Sequence, residues 1–380
     1  MEFPSSHRLP RSWLFEAASI PIQYRAYAEI VPPDARDAAR LQALRAAVLE
    51  YKPALAIARR QRTTGLWGGN LLAPAAIKAY GWKEPGTVSQ YRRLLEWGWP
   101  PDQREFRLAD RLLFQLLSRL EPDDPDPDLA TRGRALLVEF ERPAKSDPGL
   151  ARWARQTGRE GAAAALARAG HAEDPRLRGA AHRIASDISQ YLRSELAEKP
   201  FKKSHGKTIL DPASYPPSIL AVEMLAFMPA LQRERASFME RLGQYFAASA
   251  PKRAYYIAAG KKLLKPLFPI LGDPLGADAR GRVSDVPFAL YWLELLARLG
   301  LLRQIPSATR VFTHLVSECN DQGVWSPKNL RALPQARSPL TSHYYPLEGP
   351  GRSPAQRQTD VTFRLALIAR ILGLPVEILD

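Results

Sequence analysis

At 380 residues the chain can bury a substantial core, and a hydrophobic fraction of 46% excludes wholesale disorder. Its single cysteine, Cys319, excludes an internal disulfide framework and a multi-cysteine zinc site, and points to a reducing cytoplasm. A net charge of +15 favours acidic partners: nucleic acid, an anionic membrane surface or a phosphate-bearing small molecule. Arg outnumbers Lys, and a generically basic surface is the plainer reading of the same charge.

The first twenty residues carry charge but no unbroken apolar run, so no signal peptide is expected. No stretch reaches the ~18 apolar residues of a spanning helix. The expected location is the cytoplasm, with attachment at a membrane periphery left open. Apolar residues at three- and four-residue spacing predict helices over 39–61 (divided at Pro53), 87–99, 104–120, 151–169, 175–196, 217–227, 231–248, 253–264, 286–299, 307–319 and 361–372. Few alternating runs compete, so the class is all-α. Between these helices, 121–128 is an acidic, proline-broken run that reads as a solvated loop, and 199–207 is basic.

A weak repeat links 87–99, 284–302 and 359–375. Each opens with Thr, Ser or Asp before Val, continues as an apolar helix and closes at Gly; 211–229 is a relative that ends in Pro. Recurring helix pairs predict a solenoid or a closed ring rather than a simple bundle. No Gly/Ser-rich linker divides the chain, so a single domain over 1–380 is expected.

One turn carries a more specific signal. Gln61, Gly65 and Trp67 fit a QxxxGxW pattern, and Cys319, Gly323 and Trp325 repeat it with Cys in the Gln position. The chain thereby resembles the squalene–hopene cyclase and protein prenyltransferase superfamily, and in particular its uncharacterised bacterial squalene-cyclase-like branch. The resemblance covers 19–120 and 284–375; residues 125–280 match only in helical character. It implies an α/α toroid of paired inner and outer helices, in which each such turn ties neighbouring helix pairs together. An open HEAT-like α-solenoid is the alternative.

The family's chemistry does not follow. The cyclases protonate an alkene with the middle Asp of a DxDD motif, and Asp123–Asp128 has the wrong spacing. The prenyltransferases hold zinc with Asp, Cys and His, but Cys319 occupies a turn position and no HxxxH or HxH occurs. A P-loop, a GxGxxG after a strand and a GxSxG elbow are also missing, so neither metal nor cofactor is expected.

In a toroid the N-terminal turns of the inner helices would line a central cavity. Those turns would present Gln90, Tyr91, Tyr215, Asp285 and Asp360, with Tyr291 further along. Asp285 and Asp360 are plain helix caps or cavity acids; the tyrosines are core packing or an aromatic pocket for an isoprenoid or a cation. The loop 326–358 is far longer than the ~12–15 residues usual for structureless connections. It carries six prolines, His343, Tyr344 and Tyr345 at its centre, and Lys328, Arg331, Arg337, Arg352 and Arg357 around them. It is a surface strap or a site for a phosphate-bearing ligand, with His343 as an acid or base. Residues 252–271 mix lysines with Tyr255, Tyr256 and Phe268, as a basic helix on membrane or nucleic acid or as an ordinary outer helix.

The expected function is therefore an isoprenoid- or lipid-type ligand-binding toroid. The alternatives are a non-standard cyclase- or transferase-like enzyme using a cavity Asp, and a nucleic-acid-binding helical scaffold.

Overall fold

The computed structural model describes residues 2–118, 148–204, 206–259, 262–328, 330–348 and 353–380; the acidic run 121–128 and Arg352 lie outside them. The chain is mostly helical. Four short helices open it: α1 (Arg11–Ala17), α2 (Ile20–Arg25), α3 (Ala38–Leu49) and α4 (Lys52–Ala58), with Pro53 at the first turn of α4, where its missing N–H costs nothing. Then follow α5 (Thr87–Glu96), α6 (Arg104–Ser118), α7 (Pro148–Arg168), α8 (Pro175–Leu192), α9 (Ile219–Ala226), α10 (Pro229–Glu234), α11 (Ala236–Ala247), α12 (Val286–Arg298), α13 (Pro306–Ser317), α14 (Pro339–Ser342) and α15 (Gln356–Ile371).

Two kinds of helix alternate. All eight residues of α9 are buried, as are Ala289–Ala297 of α12 and Thr359–Ala369 of α15. In α8, by contrast, burial falls on Leu177, Ala180, Ala181, Ile184, Ala185 and Ile188, a single stripe at helical spacing. Helix α13 buries Ala308, Val311, Phe312 and Leu315 in the same way. Burying each Leu or Ile removes about 1.5–3 kcal/mol of apolar hydration cost, so these stripes orient the helices.

Contacts divide the chain into two compact units: 1–60, 92–100 and 275–380 form one, and 61–91 and 101–274 the other. In the first, α12 lies against α15, and α13 packs on both. A parallel pair of β1 (His7–Pro10) and β6 (Val376–Leu379), unforeseen in the sequence, holds the two ends of the chain together, with His7 opposite Val376. In the second unit α7 packs on α6, α8 and α9. Ala162, Ala163, Ala164, Ala165 and Ala167 let α9 approach α7 closely, and Gly161 meets Leu72 where a Cβ would clash.

Four helices stop by one mechanism. After α5, α7, α12 and α15 comes a glycine with positive φ (Gly98, Gly170, Gly300, Gly373), and the next residue donates to the carbonyl five positions back. This satisfies carbonyls that the helix end would strand.

Among the described residues the backbone geometry of the Gly–Trp turn occurs three times, twice with its Trp. Arg62 N–H donates to Leu66 O and Gly65 N–H to Arg62 O, both at 2.9 Å. Asn320–Val324 and Gly323–Asn320 repeat the pair at 2.9 and 2.8 Å, and Asp278–Arg282 and Gly281–Asp278 repeat it at 3.0 Å. The third copy escaped the sequence reading because Ala277 and Val283 stand where Gln and Trp would. Its signal was Asp278, whose Oδ1 accepts from Arg280 and Arg282 N–H as Asn320 Oδ1 accepts from Gln322 and Val324. Gly65, Gly281 and Gly323 each have positive φ and lie against a backbone oxygen, of Leu108, Arg310 and Arg8, at a range no Cβ tolerates. Gln61 Nε2 donates to Gly65 O at 3.0 Å and to Glu105 O at 2.7 Å, joining the turn to α6.

Two expectations need correction, and one stretch for which no element was predicted forms strands. Residues 253–264 are not a helix but lead into a hairpin of β4 (Ile257–Ala259) and β5 (Lys262–Leu264), where Tyr-Tyr-Ile favours an extended chain. The basic stretch near 199–207 likewise forms a hairpin, β2 (Phe201–Ser204) with β3 (Lys207–Leu210). Helix α15 starts at Gln356, so Asp360 lies in its second turn and is not a cap.

Candidate functional site

In the first unit, charged side chains fill the interior. Arg25 donates to Glu96 Oε2 at 2.8 Å and to Glu29 at 2.5 Å. Arg364 Nε reaches Asp360 Oδ1 at 2.9 Å, and its Nη2 reaches Glu96 Oε2 at 3.4 Å. Arg92 lies between two rings, 4.1 Å from the Tyr291 centroid and 4.0 Å from that of Tyr344, with Glu96 at 3.5 Å. Burial opposes the charges on Arg25 and Arg364, but Glu96, with Glu29 at Arg25 and Asp360 at Arg364, outweighs it and raises both pKa values.

The long loop is fastened over this interior by the two acids singled out in the sequence. Asp285 caps α12 through Phe288 N–H at 3.0 Å, and its Oδ2 accepts from Arg337 and Ser338 N–H at 2.9 and 2.7 Å. Asp360, fully buried, accepts from the N–H groups of Leu347 and Glu348. Both carboxylates are thus occupied by backbone donors. Tyr344 and Tyr345 are buried, Tyr345 with the Arg364 guanidinium 5.7 Å from its ring. Burial, with Arg93 and Arg60, pushes His343 down to about 3, so the ring is neutral near pH 7. Lys328 is exposed.

Arg93 donates through Nη2 to Pro346 O at 2.9 Å and stacks 4.1 Å from the Trp97 ring. Burial lowers its pKa to about 10 against the pull of Asp360 and Glu96, which leaves it charged at neutral pH. Its Nη1 and the Tyr345 hydroxyl are buried polar groups without a hydrogen-bond partner among the described residues.

The second unit holds Gln90, Tyr91 and Tyr215. Gln90 is buried in the first turn of α5. Tyr91 donates to Asp110 Oδ1 at 2.7 Å, and His171 Nε2 lies 3.1 Å from Asp110 Oδ2; that bond raises the pKa of the half-buried His171. Tyr215 donates to Glu160 Oε1 at 2.6 Å, and Ser218 to Oε2 at 2.5 Å. Glu160 is fully buried, and burial pushes it up to about 7 although both hydroxyls favour its charge. A cavity of about 10 Å³, room for one water, borders it, with Thr157, Ser214 and Phe268 in the wall. Sequence reasoning passed over Glu160, whose signal was a lone acid beside the alanine run of α7.

Among the described residues no group of three His, Cys, Asp or Glu side chains could hold a metal, and no helix is long and apolar enough to cross a membrane. Burial pushes the Cys319 thiol up to about 12, away from reactivity. No protein-family model, curated protein or solved structure matches the chain.

Proposed function

We propose that the chain is an α/α toroid that binds an isoprenoid- or lipid-type molecule bearing an anionic, phosphate-like head, and that the head sits at Arg93 and Tyr345. The observation that carries this is two buried donors, Arg93 Nη1 and Tyr345 Oη, which have no acceptor among the described residues. Each costs about 1–3 kcal/mol when left unsatisfied, and phosphate oxygens are strong acceptors for a guanidinium and a phenol alike. Tyr291, Tyr344 and Trp97 are buried in the same unit, with the Arg92 and Arg93 guanidinium groups on their rings. The repeated Gly–Trp turn and the alternation of buried and one-sided helices support the toroid.

Thermal denaturation with farnesyl diphosphate and with farnesol tests the site. The diphosphate is expected to raise the melting temperature more than the alcohol, and Arg93→Met and Tyr345→Phe to remove the difference. Equal shifts with both compounds, or none with either, would overturn the assignment.

Glu160 favours a second reading, an enzyme of the same fold that uses a buried carboxylic acid. Asp285 and Asp360, the acids proposed from sequence, are engaged by backbone donors, whereas Glu160 is bordered by a cavity and holds its proton near neutral pH. Turnover abolished by Glu160→Gln, with ligand binding intact, would distinguish it.

A further inference from the structure

Two basic stretches far apart in sequence form one surface. Hairpins β2–β3 and β4–β5 are joined where Ile209 pairs with Tyr256: Leu210 N–H donates to Tyr256 O at 2.8 Å and Tyr256 N–H to Thr208 O at 3.1 Å. Leu210, Ile257 and Leu271, with Phe201, Tyr245 and Tyr255 packed on them, anchor the hairpins to the helical unit.

The charge there is not the chain's average. Residues 199–211 and 252–265 hold nine Lys or Arg against one acid, Asp211, which is more than half of the net charge of +15. The chain has 41 Arg and 13 Lys, yet eight of the 13 lysines fall in these two stretches. An Arg-rich composition does not produce that bias. Lys199, Lys202, Lys203, Lys207, Lys252 and Lys265 are exposed. Among the described residues, Leu263 is the one exposed large apolar side chain, at 40%, and it follows Lys262 in β5.

We infer that the paired hairpins dock on an anionic lipid surface. Lysine is a compact, hydrated point charge suited to diffuse surface charge, whereas bidentate recognition of phosphates and bases in nucleic acid selects Arg. An apolar side chain among the lysines suits the boundary between headgroups and acyl chains. No exposed aromatic platform for base stacking accompanies them, since Tyr255 and Tyr256 are half-buried. This surface shares no residue with the Arg93–Tyr345 site, and its test is independent of that assignment.

The full chain should co-sediment with vesicles containing phosphatidylglycerol and not with pure phosphatidylcholine, and the binding should weaken as salt is raised. Lys202→Glu/Lys203→Glu/Lys207→Glu should reduce binding at least about tenfold. A charge-matched control, Lys52→Glu/Arg59→Glu/Arg104→Glu, should leave it near wild type. Leu263→Ser, which changes no charge, should weaken it about threefold or more. Circular dichroism on each variant confirms that it is folded. Absence of binding to anionic vesicles, equal loss in the control triple, or lysine-dependent binding to single-stranded nucleic acid in place of vesicles would overturn the inference.

Discussion

Trp67 donates its backbone N–H to the hydroxyl of Thr87 at 3.1 Å, and Trp325 makes the same bond to Thr362 at 3.0 Å. Each bond closes the interval between a Gly–Trp turn and the buried helix that follows, and each hydroxyl is out of reach of water. Replacing Thr362 by Val keeps the shape but strands a buried N–H, at a cost of about 1–3 kcal/mol. Urea denaturation should show that loss for Thr362→Val and for Thr87→Val, with Thr362→Ser recovering most of it.

Gly281 belongs to the turn the sequence did not reveal. Its φ of +78° and the Arg310 carbonyl against it make Gly281→Ala costly on two counts, backbone strain and a clash that only a backbone shift relieves. The expected loss is about 2–4 kcal/mol, against about 1 kcal/mol for Gly276→Ala, where φ is also positive but the space is open. Equal losses in denaturant titration would mean that the close approach contributes nothing.

Glu96 accepts from Arg25 and lies within 3.5 Å of Arg92 and Arg364. Glu96→Gln removes the charge common to three buried guanidinium groups, and breaking such a network costs about 3–5 kcal/mol. A variant as stable as wild type would show that the guanidinium charges are balanced elsewhere.

Glu160 predicts a pH dependence with a definite sign. Its folded pKa of about 7 exceeds the ordinary 4.5, so between these values the folded chain holds a proton that the unfolded chain releases. Stability therefore falls as pH rises through that window, by up to about 3 kcal/mol. Below it both states are protonated and the term vanishes. Glu160→Gln should flatten this part of the stability profile; an unchanged slope would assign the effect to other groups.

The two turns that carry Trp67 and Trp325 and the fully buried helices were legible because they depend on local chemistry. A glycine at positive φ, a proline at a first turn and an unbroken apolar run act within a few residues of themselves. The long-range features were not. Asp285 and Asp360 read as helix caps or cavity acids; Asp285 is a cap, and the loop's backbone donors at 337–338 and 347–348 occupy both carboxylates. Nothing near residue 257 announced that Tyr256 would pair with Ile209. Glu160 stood out only once Tyr215 and Ser218, more than fifty residues away, were placed on its two oxygens.

The most direct test of the proposed function is native mass spectrometry of the freshly purified full chain, followed by organic extraction of any bound molecule. One isoprenoid- or lipid-type molecule with an anionic head per chain, lost in Arg93→Met, is the predicted result. A chain that carries no ligand from its host and takes up none when offered farnesyl diphosphate would contradict it.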